Sequence, residues 1–168
     1  MVAGDFAAYT TLVDRHYDSC ARYARRMLGN SEDADDVLQD TFLQAFRALG
    51  RYHERDRFVA WLFRILANRC RSHLRQRTRR SRRFVPDESA GEAIEDHPPD
   101  PSGLRDTLQR ALESLDPLSR EALLLKYGEA MEYDEISRLT GSSVSALKMR
   151  VKRARDAVRP LLEAMLNE

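Results

Sequence analysis

"YDEISRLTGSSVSALKMRVKRAR", residues 133–155, breaks once, at Gly141, between two segments of helical periodicity. In the second segment Val144, Leu147, Val151, Ala154 and Val158 recur at three- and four-residue steps and form one buried stripe. Ser142 or Ser143 is available to cap it. Two helices joined by so short a turn have the form of a helix-turn-helix, in which the first braces a second that enters the DNA major groove. The opposite face then follows from geometry. At 100° per residue Ser145, Met149, Lys152 and Arg153 point away from the stripe, and Lys148 and Arg150 flank it. Arginine or lysine can donate to guanine O6 and N7, methionine can touch a thymine methyl, and a serine hydroxyl can bond a base or a phosphate.

Upstream, "DPLSREALLLKYG" (116–128) supplies an Asp cap, Pro at the first helical position, an apolar run and a closing Gly128. Leu104, Leu108, Ala111/Leu112 and Leu115 form one face of the helix before it. Residues 86–103, "PDESAGEAIEDHPPDPSG", hold four prolines, two glycines and an acidic bias, the composition of a solvated linker. Three longer helices precede the linker. Phe6, Tyr9, Leu12/Val13, Tyr17, Cys20/Ala21, Tyr23/Ala24 and Met27/Leu28 mark the first, which ends at Gly29-Asn30. Asn30 or Ser31 caps the second, with an acidic first turn and a core stripe of Ala34, Leu38, Thr41/Phe42, Ala45/Phe46 and Leu49. In the third, Phe58, Trp61/Leu62, Ile65/Leu66, Cys70 and Leu74 face inward, and Trp61 is assigned to the core. No alternation of strand type appears. The fold class is therefore all-α, with two small helical domains, 1–83 and 104–168, joined by a flexible acidic, Pro-rich linker, 84–103.

The formal net charge is only +1, yet the charge is sorted into blocks. Residues 31–40 carry five acids and no base, residues 87–100 six acids and no Lys or Arg, and residues 148–159 six bases against one Asp. "RCRSHLRQRTRRSRR" (69–83) holds eight arginines in fifteen positions. Such sorting marks separate surfaces with separate partners. Arg64, Asn68, Arg71 and Arg75 share one stripe of the third helix, which suits a DNA strand lying along it. On the second helix Asp36, Gln39, Asp40, Leu43 and Arg47 fall within about 100° of one another on the face opposite the core. An exposed Leu among carboxylates there points to a protein-binding surface.

Several classes are disfavoured. Cys20 and Cys70 lack CxxC or Cys/His spacing and are read as reduced structural thiols. The four histidines show no paired spacing with Glu or Cys, and neither a Gly-rich phosphate loop nor a Ser-centred elbow is present, so an enzyme or ligand-binding bundle is a distant alternative. One acidic helix supplies too few converging ligands for a metal, and neither a metal nor a cofactor is expected. No basic stretch precedes an N-terminal apolar run, and no apolar run reaches the length of a membrane span, so the expected location is cytoplasmic, without membrane insertion.

Three segments in this order and spacing, "DADDVLQDTFLQAFRAL" (33–49), "RFVAWLFRILANRCRSHLRQRTRR" (57–80) and "YDEISRLTGSSVSALKMRVKRAR" (133–155), resemble the bacterial RNA polymerase sigma-70 family in its extracytoplasmic-function group. The resemblance implies a transcription initiation factor that catalyses nothing itself. It implies a first domain that binds core RNA polymerase and melts the minus-ten element, and a second that reads the minus-thirty-five element and meets the flap region. Asp36, Gln39, Asp40 and Leu43 would dock on the clamp helices of the largest subunit. The minus-ten strand would follow Arg64, Asn68, Arg71 and Arg75, with a flipped base held by the loop Tyr52–Arg57. An aromatic surface recovers about 1–3 kcal/mol per stacked base, and Tyr52, His53 or Phe58 could supply it. Ser145, Lys148, Met149, Arg150, Lys152 and Arg153 would contact the minus-thirty-five duplex. The chain departs from the family pattern with "HERDR" in the loop and with Ser145-Ala146 where Gly-Thr is frequent. An anti-sigma factor is the further expected partner, and the chain is expected to be monomeric without partners. Arg77 to Arg83 would run toward the spacer duplex. A stand-alone helix-turn-helix activator or repressor is the alternative, although it leaves the acidic face unexplained and no dimerisation coiled coil is evident.

Overall fold

A computed structural model describes residues 6–53, 57–83 and 103–166. The expected linker, 84–103, lies outside the described residues except for Gly103. The chain divides into two compact units, residues 1–96 and 97–168, and among the described residues no strand occurs.

In the first unit α1 (Phe6–Leu28), α2 (Ser31–Leu49) and α3 (Phe58–Arg83) pack each against the other two. The first link is tight because Gly29 takes the left-handed conformation (φ 71°) that closes α1, and Asn30 then caps α2 by accepting the Asp33 N–H at 2.9 Å. The core joins Cys20, Tyr23, Met27 and Leu28 of α1 to Ala34, Val37, Leu38 and Ala45 of α2 and to Leu62, Phe63, Leu66 and Cys70 of α3. Tyr23 meets Phe63 edge to face at 5.5 Å. Both cysteines are buried and form no disulfide.

The buried arc of α3 is wider than the stripe read from periodicity. Phe63 is fully buried beside Leu62, because a helix packed against two neighbours needs an apolar face turned to each. Trp61, assigned to the core from its spacing, is only half-buried, and Phe46, placed in the α2 core stripe, is 48% exposed. Both stand at the edges of their stripes, where a single helix's periodicity does not say how far the neighbour reaches.

The second unit contains α4 (Leu104–Glu113), α5 (Pro117–Leu123), α6 (Tyr133–Thr140) and α7 (Val144–Leu166). The run expected to continue α5 to Gly128 instead passes at Leu124 into a π-helical turn, Leu124–Gly128. Leu104 is exposed rather than part of the α4 core face, whereas Ala111, Leu112 and Leu115 are buried. Leu147, Val151, Ala154 and Val158 of α7 are buried as their spacing requires, against α4, α5 and α6. Gly141 ends α6 in the left-handed conformation (φ 74°), and its N–H donates to the Ser137 carbonyl at 2.8 Å. Ser143, the alternative to Ser142, caps α7 by accepting the Ala146 N–H at 3.2 Å.

Asp116 caps α5 by accepting the N–H groups of Leu118 (3.1 Å) and Ser119 (3.0 Å). Burial alone would raise its carboxyl, but the Ser119 hydroxyl, these two N–H groups and the Arg150 guanidinium together hold it below its ordinary value. A carboxyl depressed in the folded state contributes stability above its unfolded pKa that is lost as pH falls through the folded value. Asp116→Ala is therefore expected to cost about 1 kcal/mol at neutral pH. Urea titrations of the full chain at neutral pH and below the usual carboxylate range should show that difference shrinking in acid.

Candidate nucleic-acid interface

α3 carries three surfaces on one circumference. The inner arc is the core. Outward, Arg64, Asn68, Arg75, Arg79 and Arg82 are exposed and Arg71 is half-exposed, and at 100° per residue all six fall within about 80° of one another. The stripe is thus longer by two arginines than the one read from the sequence. Within it Arg71 donates to the Asn68 side-chain oxygen, and Arg75 donates to the Ser72 hydroxyl at 3.2 Å, so neighbouring side chains hold one another along the helix.

A third group faces α2. The Arg69 guanidinium lies 3.6 Å from the Asp40 carboxylate, and its Nε donates to the Gln44 side-chain oxygen at 3.0 Å. His73 Nε2 and Arg77 Nη1 approach one oxygen of Asp33 at 3.1 and 3.9 Å, and Arg77 also donates to the Leu28 carbonyl at 3.3 Å. Arg77, expected to run off toward the spacer, is instead turned back onto its own bundle. The cause is the acidic first half of α2, which lies against the C-terminal half of α3.

The α2 face is exposed as read: Asp36, Gln39, Asp40, Leu43 and Arg47 all reach solvent, Leu43 at 48%. Asp40 is shared with Arg69. Phe46 borders Leu43 and leans on the Tyr9 ring at 5.0 Å, and Tyr17 stacks on Phe42 at 6.0 Å. The apolar part of the face is therefore broader than Leu43 alone.

At the N-terminal end of the stripe three aromatic rings meet. Tyr52 and Trp61 lie 4.8 Å apart, Phe58 and Trp61 5.5 Å, and Tyr52 and Phe58 5.9 Å. All three are half-buried, and the Tyr52 hydroxyl is buried and has no hydrogen-bond partner among the described residues. His16 of α1 closes the cluster, 5.5 Å from the Phe58 ring. Its pKa is lowered by burial and then by the charge of Arg15, which favours the neutral ring against Phe58. His53 is exposed, and residues 54–56 of the loop lie outside the described residues. Tyr52 and Phe58 thus back the indole of Trp61, which at about 60° from Arg64 borders the stripe. The sequence reading missed Trp61 as a surface residue, although its three-residue spacing to Arg64 was there to be read.

In the second unit Ser145, Lys148, Met149, Lys152 and Arg153 are exposed on one side of α7, with Met149 at 50%. Arg150 is different. It is half-buried, donates to the Ser142 hydroxyl at 2.8 Å and acts on Asp116, so it ties the turn before α7 to the start of α5. Lys148 Nζ stands 5.8 Å from the centre of the Tyr133 ring. Lys126, on the π-helical turn, stands 5.0 Å from the same ring and 3.3 Å from Glu132. No periodic signal marked Lys126, because the π turn rotates it off the α-helical register. Among the described residues no three His, Cys, Asp or Glu side chains are grouped to hold a metal ion, and no helix is long and apolar enough to cross a membrane.

A strand-length basic stripe on one unit and a capped helix-turn-helix with a polar outer face on the other define a nucleic-acid-binding protein. Residues 12–80 match the family model of sigma-70 region 2, and residues 105–158 that of sigma-70 region 4. Among similar proteins, the ECF RNA polymerase sigma factor SigE of Mycolicibacterium smegmatis is 34% identical over 166 residues, covering 95% of this chain and 64% of the relative. RNA polymerase sigma factor CarQ of Myxococcus xanthus is 34% identical over 155 residues, covering 92% of this chain and 89% of the relative. The solved structure of CnrH in complex with the cytosolic domain of CnrY superposes with a TM-score of 0.69 at 31% identity, covering 96% of this chain and 92% of that one. The chain belongs to the sigma-70 family of RNA polymerase sigma factors, in its extracytoplasmic-function group. It is a transcription initiation factor and not an enzyme.

Trp61 is the only tryptophan, so its fluorescence reports on this surface alone. Adding a mixed-sequence single-stranded oligonucleotide to the full chain should change the emission, and Trp61→Phe should abolish that signal. If the five stripe arginines all meet phosphates of the single strand, the logarithm of affinity falls with the logarithm of salt at a slope of about −3.5.

Proposed function

We propose that the two units divide promoter recognition between them. The unit of α1 to α3, residues 1–83, docks on core RNA polymerase through Asp36, Gln39, Asp40 and Leu43, which meet the clamp helices of the largest subunit. Its α3 stripe then follows the minus-ten non-template strand, with Trp61, Tyr52 and Phe58 as the aromatic end. The unit of α4 to α7, residues 104–168, lays α7 in the major groove of the minus-thirty-five element and meets the flap region, and residues 84–103 span the interval. Ser145, Lys148, Met149, Lys152 and Arg153 make the groove contacts. Arg150 belongs to this set through the turn it holds.

The observation that carries this reading is the separation of chemistries on adjacent helices. α2 offers an acidic face with exposed Leu43 and Phe46, suited to a protein, while α3 offers a cationic stripe suited to a nucleic acid strand. A stand-alone repressor has no use for the first. CnrH, to which this chain is similar, forms a complex with the cytosolic domain of CnrY, which supports a further protein partner for this chain; in this proposal that partner is an anti-sigma factor and the role is in a stress or envelope response in the cytoplasm.

Reconstituted transcription tests the whole. Core polymerase with this protein should give transcripts from a subset of promoters of the source genome, and the protein alone should bind duplex weakly. No transcript, together with tight duplex binding by the free protein, would point to the independent regulator instead. Asp36→Arg should lower affinity for core at least about tenfold, or 1.4 kcal/mol, by setting like charges together, without changing the melting temperature. Arg153→Ala should cost about 1–3 kcal/mol on a promoter duplex and relax preference at one base position.

A further inference from the structure

α3 runs past its own core. Cys70 is its last fully buried side chain, Leu74 is half-buried, and residues 75–82 are all exposed. The Thr78 and Ser81 hydroxyls donate to carbonyls of the same helix, Leu74 at 3.0 Å and Arg77 at 3.1 Å. A helical end without apolar burial frays, since most helical stability in proteins comes from tertiary packing. Yet Arg75, Arg79 and Arg82 lie on this segment, and they extend the stripe only while it stays helical and keeps its direction.

Among the described residues, the polar contacts that reach the segment from the rest of the bundle converge on Asp33 and Arg77. One carboxylate oxygen of Asp33, in the first turn of α2, lies 3.1 Å from His73 Nε2 and 3.9 Å from Arg77 Nη1. Arg77 also donates to the carbonyl of Leu28, the last residue of α1, where carbonyls lack intrahelical partners. Three helix ends are thus joined through one carboxylate and one guanidinium, at steps 73 and 77 on the side of α3 away from the stripe. We propose that Asp33, with Arg77, is a positioning residue for DNA: it keeps the last turns of α3 helical and in line, so that Arg75, Arg79 and Arg82 continue the track of Arg64 and Asn68. The inference rests on the reading of α3 as the strand-binding helix.

Two variants of the full chain separate this role from direct contact. Asp33→Asn removes the carboxylate charge but leaves the Asn30 cap in place. Arg77→Gln removes the other side. Affinity for a mixed-sequence single-stranded oligonucleotide is measured across a salt series, with hydrogen exchange of residues 74–83 followed in the same samples. Both variants should weaken binding severalfold, lower the log–log salt slope by about 1 to 2, and speed exchange in that segment only. Affinity for core polymerase should not change for Asp33→Asn, since Asp33 is not on the docking face, and Asp33→Glu should restore oligonucleotide binding. If Arg77 were simply a phosphate contact, the two variants would act in opposite directions, with Asp33→Asn freeing the arginine and tightening binding; that result overturns the inference, as does unchanged slope and exchange. Wild-type protein that binds neither the oligonucleotide nor core would instead sink the functional reading beneath it.

Discussion

A helix has a single circumference, and the rest of the first unit depends on how α3 divides its own. Packing against both α1 and α2 takes the wide arc that includes Leu62, Phe63, Leu66 and Cys70. Of what remains, the outward strip is about 80° wide, and its six side chains Arg64, Asn68, Arg71, Arg75, Arg79 and Arg82 are all hydrogen-bond donors. Core packing therefore fixes the direction of the strip, and no separate device is needed to aim it. Beyond Cys70 the inner arc changes from apolar to polar, with His73 and Arg77 meeting Asp33 where Leu66 and Cys70 meet the core.

The second unit solves a similar problem with less apolar material. α6 has only eight residues and cannot hold its orientation by packing area. Its ends are tied instead. The Glu132 N–H donates to the Glu135 carboxylate at 3.0 Å, and Gly141 turns the chain at the other end. The Ser137 hydroxyl donates to the Ser142 carbonyl at 2.7 Å, and Arg150 reaches back to the Ser142 side chain. These bonds converge on the turn, so the angle between α6 and α7 is held by polar contacts while Ile136, Leu139 and Leu147 fill the space behind it. A groove-reading helix needs that rigidity, because its base contacts are short and directional.

Most of this was legible from the chain, and the reason is periodicity. The helices of the first unit, the α7 stripe from Leu147 to Val158 and the exposed faces of α2 and α7 all follow from three- and four-residue spacing. What was not legible needs a partner distant in sequence. Arg77 looks like Arg75 or Arg79 until Leu28, 49 residues away, and Asp33 are beside it. Arg150 has the spacing of a groove contact, and only the fold brings Ser142 to its guanidinium. Trp61 and Phe46 repeat with core residues and yet stand where the neighbouring helix ends. The π turn at Leu124–Gly128 is invisible to a 100° count, which assumes the α-helical register it departs from.

The ionic contacts of α3 bear on how a chain of formal net charge +1 can carry a strongly cationic surface. Asp40 lies opposite Arg69 and Asp33 opposite Arg77, on the side of α3 turned to α2. Their carboxylates are partly exposed, and such pairs contribute at most about 1 kcal/mol each, so stability is not their main consequence. Besides the local hold of Asp33 on the end of α3, they have an electrostatic consequence. Acids that neutralise the inward cations leave the outward ones uncompensated at short range, where a Debye length of about 8 Å makes local charge matter more than the net charge. A phosphate chain approaching the stripe meets Arg64, Arg75, Arg79 and Arg82 before it meets any of the acids that balance the sum. A net charge near zero is thus compatible with tight, salt-dependent strand binding, provided that the acids stay behind the helix.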